Sequence, residues 1–288
     1  MISLSISRSA QSIVRLPFQV RRISAELALS ATFVALLTIA ALFPQLFTPY
    51  DPLSNDVLAA LKPPDGKHLF GTDRLGRDIL SRTLYGARYS LLVGLGGALV
   101  AVFFGVILGI LAGGKNKLVD EGLSRLLDII SAFPTILFTM LVVVFIGQGL
   151  ATLAFAVGIA GVPKFGRVVR AQMQLVRQAD YVSHAVILGK GAFFVFWRHI
   201  LPNVLVAVPV TAMIYIGTTI LAVSGLSFLG LGPQPPTPEW GVMLAEGRDV
   251  IRIAWWPSVF PGAAITLTVI AFVAIGNDLQ RRFERRTP

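Results

Sequence analysis

Five stretches of the chain contain no Asp, Glu, Lys or Arg: residues 27 to 50, 89 to 114, 129 to 163, 199 to 238 and 253 to 277. A hydrocarbon core about 30 Å thick takes roughly 20 helical residues to cross, so each run can span a bilayer. Inside lipid, backbone N–H and C=O groups must be satisfied within the protein, which makes such runs helical. The apolar residues form neither a helical stripe nor a strand alternation. Only 14% of the residues are charged and 55% are hydrophobic, against roughly 25% charged in a soluble domain. The expected fold class is all-α integral membrane.

The run from 129 to 163 is too long for one crossing, and Gly147, Gln148 and Gly149 offer a cheap turn inside it. Six spans follow, near 27–47, 89–112, 126–146, 150–168, 203–230 and 257–277. Charge tests this division, because cytoplasmic loops collect Lys and Arg. With six spans, both termini share a side that carries 17 of the 25 basic residues and seven of the 15 acidic ones. The other side holds eight of each. A single span over 129–163 would put the basic stretch 164–198 and the arginine-rich tail on opposite faces. Both ends are therefore expected inside.

The resulting organisation is a cytoplasmic N-terminal segment (1–26), a first span (27–47), an extracytoplasmic loop (48–88), a five-helix core (89–280) and a basic cytoplasmic tail (281–288). The N-terminal segment carries Arg8, Arg15, Arg21 and Arg22. The apolar run behind it exceeds a signal-peptide core and lacks a clear cleavage site, which reads as a retained span. In the loop, proline-rich turns precede an amphipathic helix expected from about Arg74 to Tyr89, with Asp73 as its cap. The outer stretch 231–256 holds four prolines and Trp240, Trp255 and Trp256, the last two suited to an interfacial belt.

The longest inner loop, 169–202, reads as helix (Ala179–Leu188), glycine turn (Gly189, Lys190, Gly191) and second helix (Ala192–Ile200), ended by Pro202. Its first helix mixes Tyr181, Val182, Ala185 and Leu188 with Asp180, Ser183 and His184, a pattern that suits docking against a partner. The second, with Phe193, Phe194, Phe196 and Trp197, suits lipid or intrachain packing. In the second span Gly105, Gly109 and Gly113 recur every four residues and mark one face where another helix backbone approaches closely.

Chemistry is absent. There is no HExxH or G-x-S-x-G, carboxylates do not cluster, and the three histidines are scattered, so neither a catalytic nor a metal site is expected. No cysteine is present, which removes disulfides, thiolate metal sites and cysteine nucleophiles. The net charge of +10 accompanies no nucleic-acid reader motif. Gly109 to Asn116 approaches a phosphate loop but lacks the Ser or Thr for magnesium and ends a span instead of joining strand to helix. Asp128, near the cytoplasmic end of the third span, is expected to pair with Arg125 or cap a helix.

Gly189 followed by Ile200, Leu201, Pro202 and Asn203 resembles the coupling loop of binding-protein-dependent ABC importer permeases. Phe70 to Leu80, Tyr85 to Leu95, Ser227 to Gly232 and Gln234 to Gly241 resemble the dipeptide, oligopeptide and nickel branch, in its C-type subunit. The likeness runs over nearly the whole chain from about residue 25. It implies the type I importer permease fold in the inner membrane of a prokaryote. It also implies a second permease subunit, two ATPase subunits that bind ATP and magnesium, and an extracytoplasmic solute-binding protein, with no cofactor in this chain. Peptides are the implied cargo, with nickel, metal chelates or another small solute as the alternative. A coupling site at Asp180, Tyr181, Ser183, His184, Ala185, Gly189 and Gly191 is implied, although Ser183-His184-Ala185 stands where the wider family has Glu-Ala-Ala, so a glutamate contact does not carry over. Polar residues of the fifth span, Thr211, Tyr215, Thr218, Thr219 and Ser224, are candidates for the solute path. The rival reading is a secondary transporter working alone.

Overall fold

The computed structural model describes residues 25–284; Arg8, Arg15, Arg21, Arg22, Arg285 and Arg286 lie outside them. The described residues are helical, without a named strand. Five helices are long and apolar enough to cross a membrane, and a sixth crossing results if one bent pair is counted as a span. In chain order these are α1 (Ala25–Leu42), α2 (Ile79–Ala112), the bent pair α3 (Lys117–Ala132) and α4 (Thr135–Ile146), α5 (Leu150–Arg177), the run from Ala192 to Phe228, and α11 (Trp256–Glu284). Short α6 (Asp180–Ile187) and α10 (Trp240–Arg248) lie between them. The 192–228 run divides into α7 (Ala192–Val195), a π-turn, α8 (Leu201–Leu205) and α9 (Ala207–Phe228).

The third span, expected near 126–146, is a bent pair of helices. Phe133 precedes Pro134, which pushes it into extended backbone (φ −88°, ψ 133°). The chain bends by 88° there. Alone α4 is only about 18 Å long, well short of a crossing. Amphipathic α3 is clamped to α5 instead: Arg170 donates to both carboxylate oxygens of Asp120 (2.5 and 2.9 Å), and Arg167 donates to Asp128 (2.9 Å). Asp128 thus pairs across helices rather than with Arg125, which lies 4.0 Å from Glu121.

The core is the contact between α2 and α5, the most extensive in the chain. A Cβ on Gly105 would lie 2.5 Å from the Phe165 Cβ, one on Gly109 2.6 Å from that of Val169, and one on Gly113 2.4 Å from that of Met173. Only hydrogen fits at those positions, so the two backbones close through them. Beside this seam, Gly161 of α5 leaves room for the Tyr215 hydroxyl of α9, which donates to the Val157 carbonyl (2.7 Å). Large apolar side chains such as Leu29, Leu99, Phe103 and Leu111 point outward, a surface that lipid solvates and water does not.

The segments 48–78 and 231–256 fold into a cap built on ions. Helix α2 starts at Ile79, ten residues before the expected membrane crossing, and its cap is Asp78, which accepts from the Ser81 N–H (2.7 Å). Asp73, expected as the cap, closes the preceding turn by accepting from Leu75 and Arg77 N–H groups. That turn needs Gly76 at φ +74°, where a Cβ would overlap the Asp56 carbonyl. Buried Arg77 and Arg82 both donate to Glu246 on α10 (3.0 and 2.8 Å), and Arg77 also to Asp73 (2.6 Å). Glu239 caps α10 through the Val242 N–H, and burial pushes its carboxyl above the ordinary carboxylate range. Trp256, expected at a lipid interface, is buried and donates to the Thr72 carbonyl (3.0 Å), whereas its neighbour Trp255 stays half exposed.

Two substitutions test these contacts. Gly109→Leu should cost about 1–3 kcal/mol or more, read as a lower thermal unfolding temperature in detergent, while Gly122→Ala, inside α3 and with nothing within 4 Å of the added methyl, should not lower it. Glu246→Ala leaves two buried guanidinium groups short of a partner and should cost on the order of 3 kcal/mol, with faster tryptic cleavage of the outer loop.

Candidate functional site

Between α5 and α8 the chain forms a protrusion built from α6, its turn and α7. Val182 and Ala185, three residues apart, are buried against the body of the chain. Asp180, Tyr181, Ser183 and His184 stay exposed. The helix ends in a Schellman motif: Lys190 N–H donates to the Ala185 carbonyl (3.1 Å) and Gly189 N–H to that of Val186 (2.9 Å). Gly189 has φ +74° with open space around it, so backbone conformation, not room, demands glycine. Gly191 is different: its φ is −60°, and any small residue would serve there. The reversal therefore rests on one glycine of the expected two.

The second inner helix does not stop at Pro202. Residues 196–200 widen into a π-turn, the Leu201 N–H reaching back to the Phe196 carbonyl. Pro202 then sits in the first turn of α8, where its missing N–H is tolerated. The Asn203 side chain donates to the His199 carbonyl (2.7 Å). The protrusion is thus continuous with α9 on one side and joined to α5 through Gln178 and Ala179 on the other. Ile187, Leu188 and Phe193 at its tip are more than three-quarters exposed. Behind α6 lies an apolar hollow of about 650 Å³, lined by Ile110, Met173, Val182, Val186, Val195 and Ile200 among others. Partial burial raises the Tyr181 phenol above its ordinary range, so it stays a neutral hydrogen-bonding group at physiological pH.

The polar residues of α9 divide into two sets. Tyr215, Thr219 and Ser224 are buried within the chain: Tyr215 edge-on to Phe165, Thr219 beside Gly97, and Ser224 under Gly241. Thr218 is exposed and Thr211 half-buried, and the two share a face with Ile214, Leu221 and Gly225. Thr211 lines a hollow of about 390 Å³ with Lys164 and Gln172 of α5 and Gln280 of α11. Sequence reading overlooked Lys164 as a site residue because it assigned this lysine to the end of a shorter span. Among the described residues no group of three or more potential metal ligands comes together.

Residues 105–287 match the family described as the binding-protein-dependent transport system inner membrane component. The chain is 38% identical over 254 residues to the di/tripeptide transport system permease protein DppC of Pseudomonas aeruginosa, covering 86% of this chain and 84% of that protein. It is 40% identical over 249 residues to the glutathione transport system permease protein GsiD of Pectobacterium atrosepticum, covering 86% and 83%. Its fold is similar to that of a chain in the crystal structure of an amino acid ABC transporter (TM-score 0.53, 15% identity, 71% of this chain and 94% of that one). It also resembles a chain of the inward-facing MetNI methionine ABC transporter (TM-score 0.51, 18% identity, 72% and 94%). With this match and these relatives, the helical spans assign the chain to the family of binding-protein-dependent transport system inner membrane components, as a multi-pass ABC importer permease.

Proposed function

We propose that this permease forms, with a second permease subunit, the path by which di- or oligopeptides enter the cell, driven by two separate ATPase subunits and supplied by an extracytoplasmic binding protein. The observation that carries the reading is the exposed protrusion Asp180–Gly191, locked by Gly189 and continuous with two spanning helices. A knob with an apolar tip fits a cleft in a partner, and displacement of that knob would move α5 and α9 together. Asp180, Tyr181, Ser183 and His184 would meet the ATPase; Val182 and Ala185 would transmit the load into the bundle. ATP and magnesium would be held by those ATPase subunits, and this chain would carry no catalytic step. The names of the peptide and glutathione relatives support a peptide cargo. In this reading both termini face the cytoplasm, in line with the distribution of basic residues.

Gly189→Val places a β-branched residue at φ +74°. Membrane insertion should persist, while ATP hydrolysis stimulated by loaded binding protein falls roughly tenfold or more; unchanged stimulation would refute the coupling role. A reporter active only in the cytoplasm, fused after residue 288, should be active; activity confined to the outer side would overturn the topology.

A further inference from the structure

Lys164 is the first charge on the open face shared by α5 and α9. The outer half of α5, residues 150–163, carries no acid or base, and neither does α9 apart from the buried phenol of Tyr215. A solute descending along this face therefore meets apolar and hydroxyl groups until it reaches Lys164. The side chain is exposed and lines two hollows at once. One, about 390 Å³, it shares with Gln172, Thr211 and Gln280. The other, about 360 Å³, it shares with Ser131, Thr135 and Arg167.

The charges around it are already matched. Arg167 donates to Asp128 (2.9 Å) and to the Ser131 hydroxyl (2.9 Å), Arg170 is bidentate to Asp120, and on α11 Arg282 donates to Asp278 (2.5 Å). Among the described residues no carboxylate pairs with the Lys164 ammonium, which sits over the Tyr215 ring, 5.6 Å from its centre. A cation within a membrane helix is costly unless it faces water or meets an anion, and such residues mark solute paths. The ring contact holds the ammonium beside α9 without neutralising it.

We propose that Lys164 receives the carboxylate of the passing solute, a group every peptide carries. The assignment rests on the peptide reading given above. Thr211 and Gln172, in the same hollow, are placed to hydrogen-bond the adjoining amide, and the openness of the site keeps the pairing weak enough to release the solute inward.

The test uses the whole complex, with partner permease, ATPases and binding protein, in proteoliposomes supplied with radiolabelled dialanine. Lys164→Gln should lower the number of peptides moved per ATP hydrolysed about tenfold, and Lys164→Arg should restore most of it. Lys164→His should give uptake that declines from about pH 6 to about pH 8 as the imidazole loses its proton, a decline steeper than that of the wild-type complex. Wild-type transport by Lys164→Gln, or no added pH dependence in Lys164→His, overturns the assignment while leaving the peptide reading intact. Failure of Lys164→Gln to copurify with the second permease also overturns it, since the lysine would then be an intersubunit ion pair. A wild-type complex that hydrolyses ATP but moves no dipeptide defeats the peptide reading, and this assignment with it.

Discussion

Two helix backbones in lipid gain little from hydrophobic association, because the surrounding tails are as apolar as the side chains. What α2 and α5 gain instead is close approach, and the glycines at 105, 109 and 113 permit it by presenting hydrogen where any side chain would strike Phe165, Val169 or Met173. Other contacts depend on that register. Gly158 receives Val100, Gly161 receives the Tyr215 hydroxyl from α9, and Gly166 receives Leu127 from α3. Helix α5 is thereby held by α2, α9 and α3 together, and a shift of α5 by one turn against these neighbours would break all three contacts.

The outer cap obeys a different rule. Its buried charges are retained because they form a closed set: two guanidinium groups, the Asp73 carboxylate and the Glu246 carboxylate, with Arg82 also reaching the Pro52 and Pro236 carbonyls. Removing one member leaves a buried charge unpaired, whereas the intact set joins the loop after α1, the start of α2 and α10 into one body. Arg88 adds a further tie by donating to the Ala41 and Leu42 carbonyls, which α1 leaves open at its end. The cap is therefore a tied platform at one end of the bundle.

Spans were legible in the sequence where they depend on composition, since an uncharged run of sufficient length has one host. The inner helix at 180–187 and its glycine were legible because amphipathicity and a left-handed turn are both local properties. Misreadings arose where a tertiary contact decided the outcome. Pro134 was visible, yet its effect on Phe133 was masked by the apolar run around it. Pro202 looked like a helix stop, and only the π-turn before it shows how the chain absorbs the missing N–H. Asp73 and Asp78 are equivalent caps by residue type; Gly76 and the pairing of Asp73 with Arg77 choose between them. The polar residues of α9 could not be sorted without helix orientation, because Tyr215 and Thr218 differ by less than one turn and face opposite environments.

The inner protrusion and the α9 face are mechanically one element. From Ala192 to Phe228 the chain is helical apart from the π-turn and the short break at Val206, so movement at α6 would enter α9 through a nearly continuous helix. On its other side α6 follows α5 after two residues, and α5 is the helix held most tightly by α2. In the proposed coupling, a push on the knob would be shared between α5, braced against α2, and α9, packed mainly on α11. Any relative motion of the two would fall at their shared face, where Lys164 and Thr211 line one hollow. The glycine packing supplies the fixed reference against which that motion is measured, and without a braced α5 the same push would translate the bundle as a whole and leave the hollow unchanged.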